Sequence, residues 1–134
     1  MIALLDTNIL IAREADGEPA PDLSGYDGLV VSSLSWSELT RGLHVTASLV
    51  EFKARLARFN ALRSAFGTGI AFDDACVYAH DNVLRHVVER GGSARTHVLD
   101  RMIAATALAH GFAVVTRDAA GFANLEGLVQ VDVR

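Results

Sequence analysis

The run Ile2-Ala3-Leu4-Leu5 is apolar without a break and stops at Asp6. Successive side chains of a strand point to opposite faces, so a continuous apolar run fits a strand covered on both sides. Similar runs recur at Leu29–Ser32, Phe112–Thr116 and Leu128–Val133, with a shorter one at Ile70–Phe72. Between them the spacing becomes helical. Leu49, Phe52, Leu56, Phe59, Leu62 and Phe66 repeat every three or four residues, with Lys53, Arg55, Arg58 and Arg63 among them, and predict a helix that Gly67-Thr68-Gly69 ends. Cys76, His80, Val83 and Val87 predict another over Ala75–Glu89, closed by Gly91-Gly92, and a third covers His97–His110 before Gly111. Shorter helices are expected over Asn8–Ala15 and from Ser35 to Gly42, separated by the proline-containing loop Asp16–Pro21. Strands alternating with helices define an α/β chain, a central parallel sheet with helices on both faces. No repeat or linker divides it, so residues 1–134 are expected to form one domain.

Composition narrows the setting. The 51% apolar and 21% charged content excludes a disordered chain. Cys76 is the sole cysteine, which rules out an internal disulfide, leaves a cysteine-based zinc site without ligands and suits a reducing cytoplasm. Met1–Leu5 has no basic flank and meets Asp6 at once, so neither a signal peptide nor a membrane span is expected. The net charge of −4 is not that of a typical nucleic-acid binder. Two divalent cations would cancel four carboxylates, so the acidity can belong to a site that works with metal.

Four acids sit where strands end or helices begin: Asp6, Glu38, Asp100 and Asp118. Each has an ordinary structural reading. Asp6-Thr7-Asn8 can be an Asx turn or an N-cap, and Ser35-x-x-Glu38 fits a capping box with Glu38 in the first turn. Asp100 can cap the segment from Met102, and Asp118 can open the turn Asp118-Ala119-Ala120-Gly121. Caps need not share one edge of a sheet, however, and ligands of open α/β sheets bind where the strands end. Two carboxylates about 5 Å apart repel by roughly 3 kcal/mol at an effective dielectric near 20, so the cluster calls for cations or protonation. Oxygen-only ligands select Mg²⁺ or Mn²⁺ over Zn²⁺. A phosphodiester completes such a coordination shell, and a metal-activated water would be the nucleophile.

The motifs Leu4-Leu5-Asp6-Thr7-Asn8-Ile9-Leu10, Ser35-Trp36-Ser37-Glu38-Leu39, Asp100-Arg101-Met102-Ile103-Ala104-Ala105-Thr106-Ala107 and Val115-Thr116-Arg117-Asp118 occur in that order across nearly the whole chain. Together they resemble the PIN-domain ribonucleases, and within them the toxin half of VapBC-type toxin–antitoxin pairs. The resemblance implies a three-layer α/β/α sandwich and Mg²⁺- or Mn²⁺-dependent endonucleolytic cleavage of RNA. It also implies a homodimer and inhibition by a small antitoxin whose tail lies in the active-site groove. It makes Asp6 and Asp100 the direct metal ligands, with Glu38 and Asp118 completing the site or acting through water. It puts the Thr116 hydroxyl beside the cluster and gives Thr7 and Asn8 a supporting role in the first turn. One position departs from the pattern: many relatives carry an acid before the phenylalanine that is Phe122 here, and this chain has Gly121.

The remaining polar residues divide less sharply. Asp73 and Asp74 are expected to cap the helix from Ala75. His44, His80, His86, His97 and His110 show no H-x-x-x-H pairing and read as surface or packing residues. Arg41, Arg95, Arg101 and Arg117 lie near the acids in sequence and are candidates for RNA phosphates or for a solvated face. Ser35 and Ser37 lack a nucleophile elbow, and Gly67-Thr68-Gly69 lacks both the dinucleotide and the P-loop patterns. A phosphatase of the haloacid-dehalogenase type would want a second Asp where Asn8 stands, and a receiver domain needs a late lysine whereas Lys53 is the only one. A non-catalytic interaction domain would tolerate loss of the acids, yet all four are present.

Overall fold

In the computed structural model, which describes residues 1–12 and 17–134, β1 (Ile2–Leu5), β2 (Gly28–Val31), β3 (Ala113–Thr116) and β4 (Val131–Val133) form a parallel sheet in the order β2-β1-β3-β4. Leu5 pairs with both Val31 and Val115, so the ends of β2, β1 and β3 are level. That register sets Asp6, Ser32 and Thr116 side by side along one edge.

The pleat splits the apolar runs between two cores, as side-chain alternation requires. Leu4 and Val114 face α4 (Asp74–Glu89) and α5 (Val98–His110), packing with Ala79, Val83, Val87, Ile103, Ala104 and Ala107. Ala3, Leu5, Val31 and Val115 face the other way, toward α1 (Thr7–Ile11), α2 (Ser33–Leu43) and α3 (Leu49–Phe66). The result is the expected three-layer sandwich. Among the described residues no helix is long and apolar enough to cross a membrane.

The helix caps explain where the elements stop. Asp73 accepts from the Cys76 amide at 3.2 Å and caps α4, as its sequence position suggested. Ser48 caps α3 through the Glu51 amide, with Glu51 reaching back to the Ala47 amide. Arg58 of α3 donates to the Leu10 and Ala12 carbonyls at the end of α1. Arg55 does the same for the Gly42 carbonyl of α2, placing guanidinium charge at two carbonyl-rich helix ends.

Several sequence expectations are corrected. Ser32, not Ser35, caps α2 by accepting from the Leu34 amide at 3.0 Å, so the Ser35–Glu38 capping box does not form and Glu38 lies in the second turn. Ser35 is instead fully buried inside the helix and accepts a hydrogen bond from the Thr7 hydroxyl. Ile70 contributes one bridge to Ser32, not a strand over Ile70–Phe72. The final strand begins at Val131, because Leu128 and Val129 fold back in a turn onto the Leu125 carbonyl. The first helix spans Thr7–Ile11; the rest of its expected extent, and Asp16 of the loop, lie largely outside the described residues.

Candidate functional site

Each of the four acids reaches the same edge by a different local route. Asp6 follows β1 directly and is the N-cap of α1, its Oδ1 accepting from the Thr7 amide at 2.8 Å. Glu38 projects from α2, which starts where β2 ends. Asp118 comes two residues after β3, and its Oδ1 accepts from the Ala120 and Gly121 amides at 3.1 and 3.2 Å, forming the expected turn. Asp100 is the third residue of α5, inside the helix, so it does not cap a segment starting at Met102.

Thr116 ties two of these acids together. Its hydroxyl donates to Asp6 Oδ2 at 2.8 Å and accepts from the Asp118 amide at 3.0 Å and from Asn8 Nδ2 at 3.3 Å. A hydroxyl has one proton and two lone pairs, so Thr116 is fully used. Asn8 Oδ1 accepts from the Arg117 amide, which locks the first helix to the end of β3. Thr7, Asn8 and Thr116 therefore shape the edge around Asp6.

The electrostatics are those of crowded carboxylates. Burial pushes Asp6 up from its ordinary 3.8 to about 6, against the hydrogen bonds from Thr116 and Thr7, with Asp100 and Glu38 adding repulsion. Asp100 is also raised, first by burial and then by the charge of Asp118, with the charge of His97 opposing and Glu38 adding to the rise. Asp6 thus feels the charge of Asp100 and Glu38, and Asp100 that of Asp118 and Glu38.

His97 joins them. One ligand atom each of His97, Asp100 and Asp118 lie within 4.8 Å of one another. The His97 Nδ1 to Asp100 Oδ2 distance is 3.5 Å. His97 is exposed, as the absence of an H-x-x-x-H pairing suggests, but its ring also faces Asp100 and Asp118. The signal that would have found it is the i,i+3 pair His97–Asp100, which shares one helix face. Arg101, by contrast, leaves the list of RNA-facing candidates: it is 2% exposed and donates to the Ala123 carbonyl at 2.7 Å. Arg117 donates to the Pro19 carbonyl. Arg41 and Arg95 are exposed.

Gly121 is where the chain gives the acids room. A Cβ there would lie 2.4 Å from Asp100 Oδ2 and 3.0 Å from Asp118 Oδ2, so the Asp100 carboxylate occupies the space a side chain would need. The donor set, carboxylate oxygens with one imidazole, suits a divalent cation.

A helix-covered parallel sheet with carboxylates gathered where its strands end is the architecture of an α/β protein acting at the sheet edge. The PIN domain pattern matches residues 3–128, and the chain belongs to the PIN domain family. It is similar to the Ribonuclease VapC1 of Rickettsia felis, 27% identical over 125 residues that make up 93% of this chain and 91% of that protein. The crystal structure of VapBC-5, a member of the VapBC family of toxin–antitoxin systems from Mycobacterium tuberculosis, superposes with a TM-score of 0.75. It is 25% identical and the match covers 98% of this chain and 96% of that one. VapBC2 from Rickettsia felis, bound to a DNA fragment from its promoter, shares the fold with a TM-score of 0.78 at 19% identity. That match covers 100% of this chain and 99% of the other.

Proposed function

We propose that this chain, as one PIN unit over residues 1–134, is the toxin of a toxin–antitoxin pair and cuts RNA phosphodiesters with Mg²⁺ or Mn²⁺ at the edge formed by Asp6, Glu38, Asp100 and Asp118. The observation that carries this reading is the convergence of those acids from four chain segments, with Asp6 raised to about 6 by burial and by its acidic neighbours. Crowded carboxylates around the buried Asp6 repel one another and are well matched to added positive charge. A divalent cation bound there supplies charge neutralisation and Lewis acidity toward a phosphate oxygen. Asp6 and Asp100 are the residues that hold it, with Glu38 and Asp118 completing the set. Thr116 keeps the Asp6 carboxylate oriented through the 2.8 Å hydrogen bond. Single-stranded or loop RNA fits an open edge better than a regular duplex does, because its backbone can be drawn down to the acids.

The partner proposed is a small antitoxin. A groove of about 490 Å³ runs between α2 and α3, lined by Ile11, Leu39, Leu43, Phe59 and Leu62, with Thr7 and Glu38 at its acidic end. An amphipathic segment lying in it would have its end at the acids, where a basic side chain replaces cation charge. The protein is proposed to act as a homodimer in the reducing cytoplasm, where the buried, unpaired Cys76 stays a thiol.

Mapping new RNA 5′ ends after brief expression in cells tests the reading. Discrete new ends with the natural sequence and none with Asp6→Asn are expected. The same ends in both would remove Asp6 from the chemistry, and no new ends in either would remove the nuclease reading.

A further inference from the structure

We propose that His97 is a nitrogen ligand in this site, making it a mixed imidazole–carboxylate centre that favours Mn²⁺ over Mg²⁺. The inference rests on the cation reading of the same edge and concerns which ion the edge prefers. Three observations support it. First, His97 and Asp100 form an ion pair whose spacing, with Asp118 close by, also admits a shared ion. At 3.5 Å, His97 Nδ1 and Asp100 Oδ2 are beyond a good hydrogen bond. Donors about 2.1 Å from one cation stand roughly 3.0 Å apart when adjacent and about 4.2 Å apart when opposite. The 3.5 Å gap, within a cluster spanning at most 4.8 Å, closes onto a shared ion with a small shift of the side chains.

Second, Gly121 opens the place that Asp100 takes. A Cβ there would lie 2.4 Å from Oδ2, so the carboxylate end of Asp100 would have to shift from the position it takes here. The glycine that removes an acid from this turn leaves room that the Asp100 carboxylate occupies, and His97 adds a donor on that side.

Third, His97 is held where a better cap could stand. It is the N-cap of α5 with φ 51 and ψ 41, left-handed for a residue with a side chain, and it makes no side-chain capping bond. Ser, Thr, Asp or Asn would satisfy a free amide there, and Gly or Asn would relieve the backbone. A histidine does neither, and its ring lies next to Asp100 and Asp118. Imidazole is a good ligand for first-row transition ions, whereas Mg²⁺ keeps to oxygen donors and water.

The test is pulsed EPR on tag-free protein loaded with Mn²⁺ at pH 8, with Mn²⁺ and Mg²⁺ affinities measured by calorimetry. His97→Gly and His97→Asn both accept the left-handed backbone, so the fold survives the loss of the ring. The expected result is a ¹⁴N coupling on bound Mn²⁺ that disappears in both variants. With it, Mn²⁺ affinity should fall about tenfold and Mg²⁺ affinity should change less than twofold. Mn²⁺ bound in an Asp100-dependent way without ¹⁴N coupling, or with coupling that survives in His97→Gly, would overturn the role of His97 and leave the cation site standing. Binding of neither ion by the unaltered protein would overturn both.

Discussion

On one face of the sheet, α4 and α5 bury Cys76, Ala79, Val83, Val87, Ile103, Ala104, Ala105 and Ala107, half of them alanines that let the two helices approach closely. On the other face α3, the longest helix at 18 residues, has no fully buried residue among those described. Its stripe of Phe59, Leu62 and Phe66 is half-buried, touching the core from outside. Trp36 is buried beneath it, edge-on to Phe59 at 5.8 Å and under the Arg63 guanidinium at 5.0 Å. One layer closes its helices over a fully buried core, and the other leaves a groove lined by Thr7, Glu38 and the half-buried side chains of α3. The closed layer and the grooved layer lie on opposite faces of the same sheet, with the acids at the edge they share.

The largest effect that could break this contrast is in the closed layer. Ile103 is 0% exposed in the core formed with Leu4 and Val114, so Ile103→Ala should cost about 2–5 kcal/mol in urea unfolding. A cost no larger than that of a substitution on α3 would mean that the two layers are not differently packed.

The edge should show an intermediate effect that changes sign with pH. Asp6 is raised from 3.8 to about 6 in the folded chain, so between those values the native state binds more protons than the unfolded one. Stability from this group is therefore full below about pH 4 and is lost as pH rises through 6, by on the order of 2–3 kcal/mol in total. Asp100, raised in the same direction, adds to that slope. Asp6→Asn removes the charge but turns an NH₂ toward either the Thr7 amide or the Thr116 hydroxyl, both of which donate to Asp6. That mismatch costs about 1–2 kcal/mol. In EDTA the variant should be about 1 kcal/mol more stable than the unaltered protein at pH 8 and less stable at pH 4.5. Equal loss at both values would show that the Asp6 carboxylate is not strained by burial.

The smallest effect belongs to the open layer. Leu62→Ala on α3 should cost about 1 kcal/mol or less, since the side chain already meets solvent. It should weaken binding of a groove partner far more than it weakens the fold. A stability loss matching that of Ile103→Ala would make α3 a core helix.

Much of this was legible in the chain itself. The apolar runs at Ile2–Leu5, Leu29–Ser32 and Phe112–Thr116 mark three of the parallel strands, though Ile70–Phe72 and the start of Leu128–Val133 do not form strand, and the period of Leu49 through Phe66 marks α3. The acids at the strand ends pointed to the shared edge. What escaped depends on single backbone angles and long-range contacts. Ser32 and Ser35 are equally good caps by composition, and the extended backbone at Ser32 (ψ 145) decides between them. Arg101 sits beside Asp100 in sequence, yet the helix turns it into the interior toward Ala123, 22 residues on. His97 carries no local pattern beyond one i,i+3 acid, and its left-handed backbone is not written in its residue type. Gly121 was visible as a departure, but its reason, the Asp100 carboxylate in the space of a side chain, needs the fold.

The central claim is that the carboxylate edge cuts RNA with a bound divalent cation. The most direct measurement is cleavage of a mixed single-stranded RNA substrate by purified protein, with Mn²⁺ or EDTA, beside Asp100→Asn. Cleavage that requires Mn²⁺ and falls at least a hundredfold in Asp100→Asn, on the order of 3 kcal/mol of lost transition-state stabilisation, is the predicted result. Cleavage that persists in EDTA, or that Asp100→Asn leaves intact, would contradict it.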